Sequence, residues 1–218
     1  MYKFPYRTDE NGFTHISWTL EGVTAKMLDW HWSNLDKTYA LWHPVDHEGF
    51  AWAVPVTPGR FIGAVHKTLQ GERAKIYSDP LESPVGLEYI DPALLPPELA
   101  SLVVCDHAVL VGPIKAENIG KPQALNKVLS FRLHQWSADD AGVRGMTSAI
   151  TPEPEDPEEE ARRTAAWLPH AQGECAYWQD FLPQMYTLWS VVKHEKLNPF
   201  HDLTVRHLPD GRVEYVSI

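Results

Sequence analysis

The alternation of apolar and polar positions divides the 218-residue chain into short strand-like stretches set between two helical ones. Residues 1–22 are short and mixed, and read as an arm or an edge strand. Over 23–36 (VTAKMLDWHWSNLD), Met27, Trp30 and Asn34 recur at a spacing of three to four, which predicts a helix starting at Thr24 or Gly22. YALWHPVDHEGF (39–50) reads as a loop, because Pro44 cannot sit in a helix interior. Within 60–78, Ile62, Ala64, His66, Thr68, Gln70 and Glu72 share one strand parity. Residues 80–98 are Pro-rich and predict a loop. Strands are expected over 101–113, 128–136 and 144–150. The last two pair across SADDAGV, where Asp140, Ala141 and Gly142 look like a turn.

TPEPEDPEEE (151–160) holds six acidic residues and three prolines, the composition of a solvated linker. Its continuation, EEEARRTAA, is able to begin a helix. Residues 167–194 carry the longest helical signal, and Pro183 is expected to kink or restart it. LTVRHL and VEYVSI, joined by PDGR, predict a closing hairpin. A single domain, 1–218, follows: an arm (1–22), a helix plus sheet (23–150), an acidic linker (151–165), and a long helix with a terminal hairpin (166–218). Helices and strands in separate blocks point to an α+β class with a curved antiparallel sheet around a long C-terminal helix, enclosing a pocket.

Nine Trp and eight Tyr are many for this length, and such residues often line pockets for apolar or aromatic ligands. A formal net charge of -10 argues against nucleic acid and anionic membrane surfaces as partners. The two cysteines, Cys105 and Cys175, form neither a C-x-x-C pair nor a disulfide framework. The polar N-terminal stretch lacks an apolar leader core, and no apolar run approaches a membrane span. A cytoplasmic setting is the expectation.

Candidate chemistry concentrates in WLPHAQGECAYWQDFLPQMY (167–186). His170 and Glu174, four apart, share one helix face, and imidazole with carboxylate suits Zn²⁺ or a similar divalent ion. His-x-x-x-Glu alone is a weak signal, and Gly173 inside the turn lowers helix propensity. Further ligands must come from elsewhere, and the Pro-stiffened loop offers His43, Asp46 and His47.

Together, MLDWHWSNLDKTYALWHPVDH and the later HAQGECAYWQDFLPQMY resemble the 2,4-diacetylphloroglucinol hydrolase and phloretin hydrolase family, metal-dependent hydrolases of a carbon–carbon bond between an acyl group and a phenolic ring. The likeness covers both ends of the domain and is weak in the middle. It implies His47, His170 and Glu174 as metal ligands and Tyr39 as the residue that binds a substrate oxygen. The family's strand glutamate falls on Gln70, with Glu72 two residues on at the same parity. A proton-relay histidine falls on His134, with His107 as the alternative. The resemblance also implies a homodimer and a small aromatic or polyketide-like substrate. The expected fold is a helix grip of the START and pollen-allergen kind.

In such chemistry an aryl ketone receives a proton at the ring carbon and a water at the carbonyl. Tyr39 would hold a phenol oxygen and His134 would relay the proton. Trp30, Trp42 and Tyr177 would sandwich the ring. Two rivals stand beside this reading. One is a metal-dependent cyclase, isomerase or decarboxylase that stabilises an enolate, which a glutamine at position 70 favours. The other is a non-catalytic helix-grip module for an apolar ligand, which needs no metal.

Overall fold

The computed structural model describes residues 4–57, 60–70, 85–119, 130–191, 203–207, 209 and 213–217. Among the described residues, eight strands form one antiparallel, open, curved sheet: β1 (Tyr6–Thr8), β2 (Thr14–Glu21), β3 (His47–Val54), β4 (Val65–Gln70), β5 (Val85–Ile90), β6 (His107–Lys115), β7 (Phe131–Asp139) and β8 (Gly142–Ile150). Their spatial order is β1-β2-β8-β7-β6-β5-β4-β3, so β2 and β8, distant along the chain, lie side by side. The helices are α1 (Ala25–Ser33), α2 (Leu35–Trp42), the one-turn α3 (Pro97–Ala100) and α4 (Pro157–Val191). A separate hairpin, β9 (Leu203–His207) with β10 (Val213–Ser217), closes the chain as expected, and β9 packs against α2 and β3. This α+β arrangement of a curved sheet with a long C-terminal helix is compatible with a helix grip.

Several local expectations give way to what surrounds them. The first 22 residues are more than an arm: β2 is an inner strand whose Ile16, Trp18 and Leu20 are buried at period two. The predicted helix over 23–36 is two helices. Thr24 caps the first through its hydroxyl on the Met27 N–H. Asn34 ends it, since its side-chain amide takes the Trp30 carbonyl at 2.9 Å and its backbone leaves helical geometry. The stretch 39–50 is a loop only at its centre. Residues 39–42 finish α2, and His47 onward is β3.

The Pro-rich region contains β5, which pairs with β6 from Val85↔Lys115 to Ile90↔Leu110. Residues 101–106 are not strand. The buried Gln135 side chain holds them, accepting from the Val104 and Cys105 N–H groups and donating to the Leu102 carbonyl. Helix α4 starts at Pro157, inside the expected linker. Asp156 caps it by accepting from the Glu158 and Glu159 N–H groups, and three glutamates in the first turn suit the positive end of the helix dipole. α4 runs unbroken through Pro169 and Pro183.

Two cores flank the sheet. On one face α1, α2 and α4 bury a large cluster that includes Trp32, Tyr39, Trp42, Trp136 and Trp178. On the other, Leu95 and Leu99 pack with Leu110, Phe131, Leu133 and Ile150. No helix among the described residues is long and apolar enough to cross a membrane.

Candidate metal centre

The buried stripe of α4 is Trp167, His170, Ala171, Glu174, Cys175, Trp178 and Leu182, at the three- and four-residue spacing of one helix face. His170 and Glu174 therefore face the aromatic core, where an unpaired charge is costly. What meets them is the corner between α2 and β3. The residue before a proline avoids helical geometry, so α2 ends at Trp42, with His43 extended at φ -148° and ψ 83°. The chain then turns through Pro44, closed by the Asp46 and His47 N–H groups on the His43 carbonyl. This corner puts Asp46 and His47 against α4.

Nε2 of His47 lies 3.3 Å from Oε1 of Glu174, and Nε2 of His170 lies 3.2 Å from the same oxygen. Each imidazole is held from behind. His47 Nδ1 donates to the Tyr39 carbonyl at 2.8 Å, and His170 Nδ1 donates to Oδ2 of Asp46 at 2.9 Å. All of these residues are buried. The ligand atoms of His47, His170 and Glu174 lie within 4.8 Å of one another. This pattern, with Nδ1 tied to a carbonyl or carboxylate and Nε2 turned inward, is the usual outer support of metal-bound histidine.

Electrostatics point the same way. Burial pushes the His47 pKa down, despite Glu174 and the Tyr39 carbonyl. Neutral His47 has its one N–H on the carbonyl side, so its lone pair faces a carboxylate oxygen 3.3 Å away. A proton or a metal cation between them would relieve two acceptors so placed. Burial also works to lower the pKa of His170, but Glu174 and Asp46 outweigh it and hold it at about 9. For Glu174, burial works upward, and His170 and His47 overcome it, keeping the carboxyl well below its ordinary range. The site thus carries positive charge on His170 where an ion would supply it.

Tyr39 stacks face to face on His47, with centroids 3.9 Å apart and planes within 6°. Gln70 ends β4 directly opposite His47 in the β3–β4 register. Glu72 lies outside the described residues. His134 on β7 is buried one ring away, 6.0 Å from Trp42, which is itself 5.3 Å from His47. Thr147 orients it: the threonine hydroxyl accepts from the Trp18 indole N–H and the Cys175 thiol, leaving its proton for His134 Nδ1. His107 sits elsewhere, half-exposed and paired with Asp29 at 3.0 Å. Of the proposed ring-sandwiching aromatics, Trp42 lies beside His47 and Tyr177 beside His43. Trp30 packs instead on Tyr186 and Trp189 near the far end of α4.

Two features have no local signal in the sequence. Asp46 is one residue of a loop that offers several possible ligands, and its place beneath His170 appears only with the fold. His66 shares a strand parity with its neighbours, yet it is buried on β4, stacked on Phe50 at 5.2 Å.

No family model and no curated protein matches the chain. Several solved structures share part of its shape. Protein Ms6760 from Mycobacterium smegmatis is 9% identical, covers 83% of this chain and 98% of its own, and gives a TM-score of 0.48. Protein NE0264 from Nitrosomonas europaea is 11% identical, covers 82% and 99%, and gives 0.46. Likenesses this loose carry no argument about function.

Proposed function

We propose that the protein is a metal-dependent hydrolase that cleaves the carbon–carbon bond between an acyl group and a phenolic ring, with Zn²⁺ or another divalent ion held by His47, His170 and Glu174. The observation that carries the metal part is the convergence of two back-supported Nε2 atoms on one Glu174 oxygen. The reaction class rests on the resemblance of the corner and helix motifs. Gln70, opposite His47 in register, is the candidate neutral fourth ligand. The helix-grip fold belongs to the same proposal.

The chemistry such an ion supplies is a polarised carbonyl and a water pKa lowered to about 7. The chain's own residues do the rest. Tyr39 and Asp46 fix the two imidazoles, so the ligand set is preorganised before any substrate enters. The Tyr39 hydroxyl holds a phenol oxygen of the substrate. His134, presented by Thr147, relays a proton towards the ring carbon. Overall the acyl–aryl bond breaks, water supplies hydroxyl to the acyl carbon and a proton to the ring, and a carboxylic acid and an arene leave.

The test is metal content followed by turnover. Freshly purified protein should carry about one divalent ion per chain and release a carboxylic acid from an acylphloroglucinol. Metal without hydrolysis would move the reading to an enolate-stabilising cyclase, isomerase or decarboxylase. No metal at all, even after incubation with Zn²⁺, would leave a non-catalytic binding module.

A further inference from the structure

Behind the ligand set lies a second cluster: His43, Asp46 and His170. Its residue types alone would admit a second cation. Hydrogen-bond directions oppose that. The Asp46 backbone N–H points at Nδ1 of His43, 3.1 Å away, so Nδ1 is an acceptor and Nε2 carries the ring proton. His43 Nε2, carrying its proton, then lies within ion-pair distance of Oδ2 of Asp46, at 3.4 Å. His170 Nδ1 donates to the same oxygen at 2.9 Å. Both nitrogens turned towards Asp46 hold protons, and neither offers a lone pair.

The two imidazoles also stack on each other, with centroids 4.5 Å apart and planes within 20°. This packing needs an opening on α4, and Gly173 provides it. A Cβ built on Gly173 would lie 2.6 Å from His43 Nε2 and 2.9 Å from its Cδ2, a contact that real side chains do not tolerate. The glycine that weakens the helix on propensity is the one that admits the ring.

We propose that His43 is a positioning residue: seated in the space left by Gly173, it holds Asp46 against His170 Nδ1 and so fixes His170 Nε2 towards Glu174. Its effect on metal binding rests on the ligand assignment above, and its effect on His170 itself does not.

Zinc affinity, measured by competition with a chromophoric chelator, should fall about ten- to a hundredfold in His43→Phe and in Gly173→Ala, the usual loss when an outer-shell partner is removed. His43→Gln, which keeps a donor, should recover part of it. In a His43→Ala background Gly173→Ala should cause no further loss. There it should raise the thermal midpoint, because alanine is the better helix former once the ring is gone. Wild-type affinity in Gly173→Ala, losses that multiply in the double variant, or two zinc ions per chain would overturn the proposal. A wild-type protein that takes no zinc would end the hydrolase reading and leave this one to be judged on the metal-free protein. There the His170 Nδ1–H signal in ¹⁵N-labelled protein should be shifted or lost in His43→Phe. An unchanged signal would refute the positioning role.

Discussion

Tyr39 supports His47 twice, with its ring stacked on the imidazole at 3.9 Å and its carbonyl accepting the imidazole Nδ1–H at 2.8 Å. One residue thus sets both the plane and the tautomer of a candidate ligand, and neither contact uses the phenol hydroxyl.

Tyr39→Phe separates these roles. Phenylalanine keeps the stack and the carbonyl, so zinc affinity should stay within about twofold of wild type. Turnover should drop by roughly 10²-fold or more if the hydroxyl holds the substrate. Chelator competition and a carboxylic acid assay on the same preparation give both numbers, and equal loss in the two would assign the hydroxyl to the metal site instead.

Glu174→Gln removes the carboxylate shared by both Nε2 atoms. Metal content should fall below a tenth of an ion per chain, on the order of the loss expected when a charged first ligand is neutralised. The metal-free protein should also lose about 3–5 kcal/mol, because His170 keeps a buried charge with one partner gone. Urea unfolding in the presence of a chelator reads this directly.

Gln70→Glu tests the fourth position. A carboxylate in place of the amide should tighten zinc binding by about tenfold or more if residue 70 is a ligand. Unchanged affinity, together with a loss in Glu72→Ala, would transfer the position to Glu72.

Metal uptake should release protons. His170, held at about 9, is protonated at pH 7 and must lose that proton to ligate. Affinity should therefore climb about tenfold per pH unit from pH 7 and level off near pH 9. Titration calorimetry in buffers of different ionisation enthalpy should count about one proton per ion near neutrality.

Acid stability has a separate origin. Burial drives His66 to about 3 and His134 to about 4, below the ordinary imidazole value of 6.5. Between pH 6.5 and 4 the unfolded chain binds these two protons and the folded chain does not. The stabilisation is full above pH 6.5 and is lost as pH falls, at about 1.4 kcal/mol per unit for each group. Urea midpoints measured from pH 7 to pH 4 should show this slope, and substituting both histidines by phenylalanine should reduce it to the share carried by the other buried imidazoles, His31, His43 and His47.

Legibility in the sequence followed how local each signal was. The α4 stripe, the β7–β8 hairpin and the closing β9–β10 hairpin were readable because period, turn residues and length agree within one stretch. The break at Asn34 was not, because it depends on a side-chain amide outcompeting a backbone bond for the Trp30 carbonyl. β5 was hidden by the prolines around it and is stabilised by its β6 neighbour. In the candidate site, the His170–Glu174 pair was legible from spacing, and His47 from the resemblance. The roles of Asp46 and Gly173 were not, since both depend on contacts across more than a hundred residues of chain.

Pro169 stands immediately before His170 in α4 and brings no N–H to the helical ladder. Unravelling that begins in the acidic turns near Pro157 meets a gap in cooperativity there. His170 and Glu174 lie beyond it, on the stretch of the helix held by Trp42, stacked on Trp178, and by the β3 corner. Thermal fraying of the first turns can therefore proceed while the contacts of His170 and Glu174 with Asp46 and His47 stay intact.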